Sequence, residues 1–117
     1  MSTVIYGIKN CDTMKKARDA LEGFGVDYKF HDYKTEGVAL DKLKEWCKMV
    51  GWQVLLNRAG TTFKKLADTD KHELNETKAL ALMLSQPSMI KRPVLEFEKQ
   101  LVVGFKSNEY AKLFANK

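Results

Sequence analysis

Two short β-favouring runs enclose one amphipathic helix within the first 33 residues, and that order leaves the chain little choice of architecture. Val4, Ile5 and Tyr6 make the first run. In the second, Val26 to Tyr33, the apolar Val26, Tyr28 and Phe30 alternate with Asp27, Lys29 and His31, the pattern of a half-buried strand. Between them Met14, Ala17, Leu21 and Phe24 recur at helical spacing, and Gly25 supplies a stop. Strand–helix–strand over residues 3 to 33 predicts two parallel strands joined by a right-handed crossover.

The middle of the chain changes character. Leu40, Leu43, Cys47 and Val50 recur at helical spacing with Trp46 beside them, which predicts a helix from Leu40 to Val50 ended by Gly51. A shorter helix is expected from Thr62 to Ala67. A third begins after Asn75, a good N-cap, and runs until Pro87 forbids continuation. Strands return at Pro93 to Phe97 and Leu101 to Phe105, a hairpin around Glu98-Lys99-Gln100, and a last helix is expected with Ser107 as its N-cap. The order is βαβ, a helical insertion at about 38–90, then ββα. It is the thioredoxin-like arrangement, an α/β fold with a mixed sheet. No linker or repeat separates the insertion, so residues 1–117 read as one domain.

Composition narrows the function classes. At 117 residues with 44% hydrophobic and 30% charged side chains, the chain can build a core and is not disordered. Only Cys11 and Cys47 are present, which fits a reducing compartment better than a disulfide scaffold. Nothing resembles a signal peptide or a membrane span, so a soluble, cytoplasmic monomer is expected. The net charge of +5 comes from lysines spread along the chain among acidic residues, as in Asp41-Lys42-Leu43-Lys44-Glu45. Such interleaving describes solvated helix faces, not a nucleic-acid patch. His31 and His72 lack metal-like neighbours in sequence, so no metal is expected.

The stretch Tyr6-Gly7-Ile8-Lys9-Asn10-Cys11-Asp12-Thr13-Met14 carries the chemistry. It puts a thiol where the first strand ends and the first helix begins. Unpaired N–H groups and the positive end of the helix dipole favour the thiolate there, and the thiolate is the nucleophile. Lys9, Lys15 and Lys16 add positive potential. Cys47, on the apolar face of the Leu40–Val50 helix, is expected to be a buried structural thiol. Of the three arginines, Arg92 precedes Pro93, which holds it extended and aims its guanidinium. Arg18, two turns into the first helix, is expected on the solvated side. Trp46, Trp52 and the phenylalanines are expected in the core.

Three segments resemble the ArsC/Spx family, and its small YffB-type branch in particular. They are Asn10-Cys11-Asp12-Thr13 after a strand, Leu55-Leu56-Asn57-Arg58-Ala59-Gly60-Thr61-Thr62-Phe63, and Pro87-Ser88-Met89-Ile90-Lys91-Arg92-Pro93-Val94-Leu95. Their order matches and they cover essentially the whole chain. The resemblance implies a thioredoxin-like fold, Cys11 as the catalytic thiol, and a cis peptide before Pro93. It also implies a site for glutathione or a small thiol or oxyanion built from Arg92, Arg58, Asn10, Lys9, Thr13 and Pro93. Glutathione is the implied co-substrate, with no bound cofactor, and glutaredoxin or an oxidised protein is an implied partner.

Three departures from the family pattern matter. Arsenate reductases of this type carry a third arginine after the last strand, where this chain has Lys106, so poor arsenate turnover is expected. Arg58 also falls about one position from where relatives carry theirs. Spx-type regulators carry C-x-x-C, whereas Met14 stands at the second cysteine position here. The implied activity is glutathione-dependent thiol/disulfide reduction with one nucleophilic cysteine. Arsenate reduction and Spx-like docking on RNA polymerase are the alternatives.

Overall fold

The computed structural model describes residues 3–9 and 11–114. In chain order its first elements are β1 (Thr3–Gly7), α1 (Asp12–Gly23), β2 (Lys29–Asp32), α2 (Tyr33–Glu36), α3 (Leu40–Val50) and α4 (Trp52–Leu55). There follow α5 (Thr61–Lys64), α6 (Asp68–Lys71), α7 (Glu76–Ser85), a 3-10 turn at Pro87–Met89, β3 (Val94–Phe97), β4 (Gln100–Val103) and α8 (Ser107–Phe114). Two units form: Met1–Asp32 with Arg92–Lys117, and Tyr33–Lys91.

The first unit holds the sheet, in the order β2-β1-β3-β4. Strand β1 runs parallel to β2, with Val4 opposite Lys29, and antiparallel to β3, with Tyr6 opposite Val94. Strands β3 and β4 form the hairpin, pairing Phe97 with Gln100. This is the mixed sheet and βαβ…ββα order of a thioredoxin-like fold. Met14, Ala17 and Leu21 of α1 are buried with Ile5, Leu95, Phe97, Tyr110 and Phe114 in one apolar cluster. The helical spacing of the first three and the strand positions of the others are what bring them together.

Element edges differ from the sequence expectation for local reasons. Strand β2 starts at Lys29, not Val26, because α1 ends in a Schellman motif. The N–H of Val26 donates to the Leu21 carbonyl at 3.0 Å and that of Gly25, at φ +71°, to the Glu22 carbonyl at 3.0 Å. Residues 24–26 are consumed by that turn, and Phe24, expected in the core, is 38% exposed. In the hairpin only Glu98 and Lys99 lie between the strands, with Glu98 at φ +58°, so β4 starts at Gln100. It ends at Val103 because Gly104 turns away at φ +83°. Phe105 therefore leaves the strand and packs edge-on against Tyr110 at 4.8 Å. Ser107 is the first helical residue rather than the cap; the Lys106 carbonyl accepts from Glu109 and Tyr110.

The second unit is helical. Helix α3 has the expected bounds, burying Leu43, Trp46 and Cys47, and Gly51 ends it at φ +90°. Leu40, read as part of the apolar face, is 39% exposed at the first turn. Asn75 caps α7, its side-chain oxygen accepting from the Lys78 N–H at 2.9 Å. The short helices α2, α4 and α6 were not expected, and the one read as Thr62 to Ala67 is α5, ending at Lys64. Four-residue helices carry too few periodic positions to leave a pattern. Leu56 and Ile90 form an antiparallel bridge that fixes the segment before Arg58. Among the described residues no helix is long and apolar enough to cross a membrane.

Candidate active site at Cys11

Cys11 occupies the N-cap of α1 with extended backbone, φ −134° and ψ 128°, and its carbonyl accepts the first helical hydrogen bond from Lys15 at 3.0 Å. The position places Thr13 and Met14 at the second and third helical residues, whose N–H groups have no partner within the helix. Sulfur stands where a serine or aspartate oxygen would cap, though without forming a standard cap bond. The thiol is half-buried, and neither cysteine is in a disulfide.

Several influences set its acidity. Partial burial, the largest, opposes ionisation; against it act the Met14 N–H, the Arg92 side chain as a hydrogen-bond donor, the Thr13 N–H and the positive charge of Arg92. Together they outweigh burial and hold the Cys11 thiol below its ordinary value. Cys47 is its opposite. Burial and then the negative charge of Glu76 push that thiol up, as its place inside α3 requires. The sequence expectation of a buried, inert second thiol agrees with its 6% exposure.

Arg92 reaches the thiol because of its address in the chain. It immediately precedes β3, the strand paired to β1, and β1 leads directly into the Cys11 loop. The Arg92–Pro93 peptide is cis, and Pro93 is buried. Lys9 is exposed and lines the groove that contains Cys11. Thr13 contributes its backbone N–H rather than its exposed hydroxyl. Asn10 lies outside the described residues. Arg58 belongs to the helical unit, where its guanidinium sits 5.4 Å from the centre of the Trp52 ring. Trp52, expected in the core, is only partly buried there. Among the described residues no group of three or more His, Cys, Asp or Glu side chains is placed to hold a metal ion.

The sequence reading put Arg18 on the solvated side of α1, and the structure corrects it. Arg18 is half-buried, its guanidinium 4.6 Å from the centre of the Phe30 ring, and its Nε donates to the Tyr28 hydroxyl at 3.2 Å. It lines the same groove as Cys11. A signal was available: Cys11, Lys15, Arg18 and Glu22 follow i, i+4, i+7, i+11 along one helix face.

Replacing Arg92 by alanine removes two of the influences that favour the thiolate. Alkylation of Cys11 at neutral pH should slow several-fold, and its pH midpoint should move up toward that of an ordinary thiol. Well above both midpoints the variant should equal or exceed the wild type, because a more basic thiolate is the better nucleophile. An unchanged pH profile would show that Arg92 does not act on the sulfur.

Comparison with known proteins places these features in context. The ArsC family matches residues 6–113. Among solved structures, the YFFB protein is 56% identical with a TM-score of 0.94, covering 97% of this chain and 99% of its own. An arsenate reductase (ArsC) related protein from Brucella melitensis is also 56% identical, with a TM-score of 0.78 and coverage of 97% and 95%. The global transcriptional regulator Spx of Listeria innocua is 30% identical over 107 residues, 90% of this chain and 81% of that protein.

Proposed function

The chain belongs to the ArsC family, and we propose that it works there as a glutathione-dependent thiol–disulfide oxidoreductase with Cys11 as its single nucleophile. The observation that carries this reading is the Cys11 thiol held low by the Met14 and Thr13 N–H groups and by Arg92. A thiol so placed ionises more readily than an ordinary one and is partly accessible, and both favour attack on a disulfide sulfur.

The chemistry balances with one cysteine. Cys11 thiolate attacks the glutathione sulfur of a mixed disulfide RS–SG; the new Cys11–SG bond forms as the old S–S bond breaks, and RS⁻ leaves to be protonated. A second glutathione, as thiolate, attacks the sulfur of bound glutathione, releasing oxidised glutathione and regenerating Cys11 thiolate. The net change is RS–SG + GSH → RSH + GSSG, so one external glutathione is consumed and Cys11 ends as it began. Met14, where a second thiol would stand, makes the external thiol necessary. An oxidised protein is a suitable RS–SG, and a glutaredoxin is a suitable alternative resolving partner in the cytoplasm.

Incubation with oxidised glutathione followed by mass spectrometry should find one glutathione on Cys11 and none on Cys47. Modification of Cys47 alone would overturn the assignment.

Arsenate reduction is the second reading, favoured by the similarity to the Brucella melitensis protein. Arsenate is a tetrahedral oxyanion best held by several planar forks, and Lys106, where the third arginine of such enzymes would stand, is an exposed lysine. Turnover of arsenate with glutathione and glutaredoxin should therefore be slow, and robust NADPH-coupled rates would reverse the ranking. The similarity to Spx supports a third reading, an RNA polymerase adaptor. Capture of a polymerase subunit that is insensitive to Cys11→Ser would favour it.

A further inference from the structure

An open groove of about 510 Å³ runs from Cys11 along one flank of α1, with Lys9, Asp12 and Lys15 near the thiol, Arg18 midway and Asp19 and Glu22 at the far end. We propose that this groove is the seat of the γ-glutamyl arm of glutathione, with Arg18 binding its α-carboxylate and Asp19 and Glu22 facing its ammonium group. The inference deepens the glutathione reading of Cys11 and rests on it.

Three features support it. The first is order: an arginine on a solvated helix face would be mobile, but Arg18 is stacked on Phe30 and anchored through Nε to Tyr28. The Tyr28 hydroxyl continues the chain to a carboxylate oxygen of Glu22 at 3.4 Å. With Nε occupied, the two Nη nitrogens are the donors left for a ligand, and no ion pair among the described residues engages them. A guanidinium fixed in this way loses little freedom on gripping a carboxylate and does so through two parallel bonds.

The second is charge sequence. An α-amino-acid head carries a carboxylate and an ammonium on one carbon, so it asks for a cation and an anion side by side. Arg18 and Asp19 are consecutive, with Glu22 one turn on. The lysines nearer the thiol suit the other, glycyl, carboxylate.

The third is reach. Arg18 lies seven residues beyond Cys11, roughly 10 Å along the helix axis, and helical side chains lean toward the N-terminus, the Cys11 end. Eight bonds separate the cysteinyl sulfur of glutathione from its γ-glutamyl carboxylate carbon, an extended reach of roughly 9 Å.

The test compares oxidised glutathione with cystinyl-bis-glycine, which lacks both γ-glutamyl groups and carries free ammonium groups in their place, each rate being divided by that of a small-molecule thiol with the same disulfide so that the intrinsic difference in leaving group cancels. Rates of adduct formation on Cys11 are followed by mass spectrometry. The wild type should favour oxidised glutathione by about tenfold, the worth of one charge-assisted pair. Arg18→Gln should erase that preference, and Arg18→Lys should keep part of it. Because the readout is a ratio at one thiol, a general disturbance of the helix moves both rates alike. Equal wild-type rates, or a preference that survives Arg18→Gln, would overturn the subsite and leave the function of Cys11 standing. Failure of both disulfides to modify Cys11 would remove the glutathione reading and this inference with it.

Discussion

Cys11→Ser is expected to reduce glutathione-dependent disulfide reduction to the uncatalysed background, a loss on the order of a thousandfold or more. Serine preserves the size and position of the group at the start of α1, so the helix survives. What disappears is the ionised sulfur. An alcohol at this site cannot be deprotonated near neutral pH by two amide N–H groups and one guanidinium, and the O–S bond it would need in place of the mixed disulfide does not form by thiol–disulfide exchange. The measurement is reduction of 2-hydroxyethyl disulfide by glutathione, coupled to NADPH through glutathione reductase. Cys47→Ala should stay within about twofold of wild type, since a thiol that burial and Glu76 hold protonated takes no part. A Cys11→Ser variant with appreciable activity, or an inactive Cys47→Ala variant that is still folded, would move the nucleophile elsewhere.

Gly7→Val is expected to lower stability by about 1–3 kcal/mol through overpacking, a fall of several degrees in Tm. Gly7 closes β1, and a side chain there would land on the Met14 sulfur and within 2.7 Å of its Cε. Met14 is 1% exposed and belongs to the apolar cluster beneath the sheet, so its thioether cannot simply swing into solvent. Moving it drags the first turn of α1, and with it the N–H that favours the Cys11 thiolate most among the stabilising influences. Two readouts should therefore move together: the melting temperature down, and the pH midpoint of Cys11 alkylation up. A variant as stable as wild type would show that the Met14 pocket yields freely.

Both expectations depend on residues the sequence located with different clarity. The βαβ start and the position of Cys11 were legible because strand alternation, helical spacing and a turn-rich loop fall in uninterrupted succession. The cis peptide before Pro93 and the role of Arg92 came from motif resemblance; nothing in local spacing ties residue 92 to residue 11. That link is made by the antiparallel pairing of β1 with β3. Arg18 was misplaced for a different reason. Spacing says which helix face a residue occupies, but here two aromatic side chains of the following segment, Tyr28 and Phe30, rise beside that face and trap the guanidinium. Helix ends were blurred wherever a backbone turn consumed residues of strand-like composition, as the Schellman motif does with Val26.

The crowd of donors around Cys11 has an energetic side as well as a kinetic one. Whatever lowers the pKa of the sulfur does so by stabilising its anion, and that stabilisation is forfeited the moment the sulfur enters a disulfide and becomes neutral. A mixed disulfide formed at Cys11 is thus raised in energy relative to the reduced protein, in proportion to the depression of the thiol. An oxidised form made costly in this way passes its partner on readily, because a stabilised thiolate is also the better leaving group. The N-cap of α1 sets a redox poise: the chain should rest reduced at the glutathione ratios of a reducing compartment and hold an adduct only briefly.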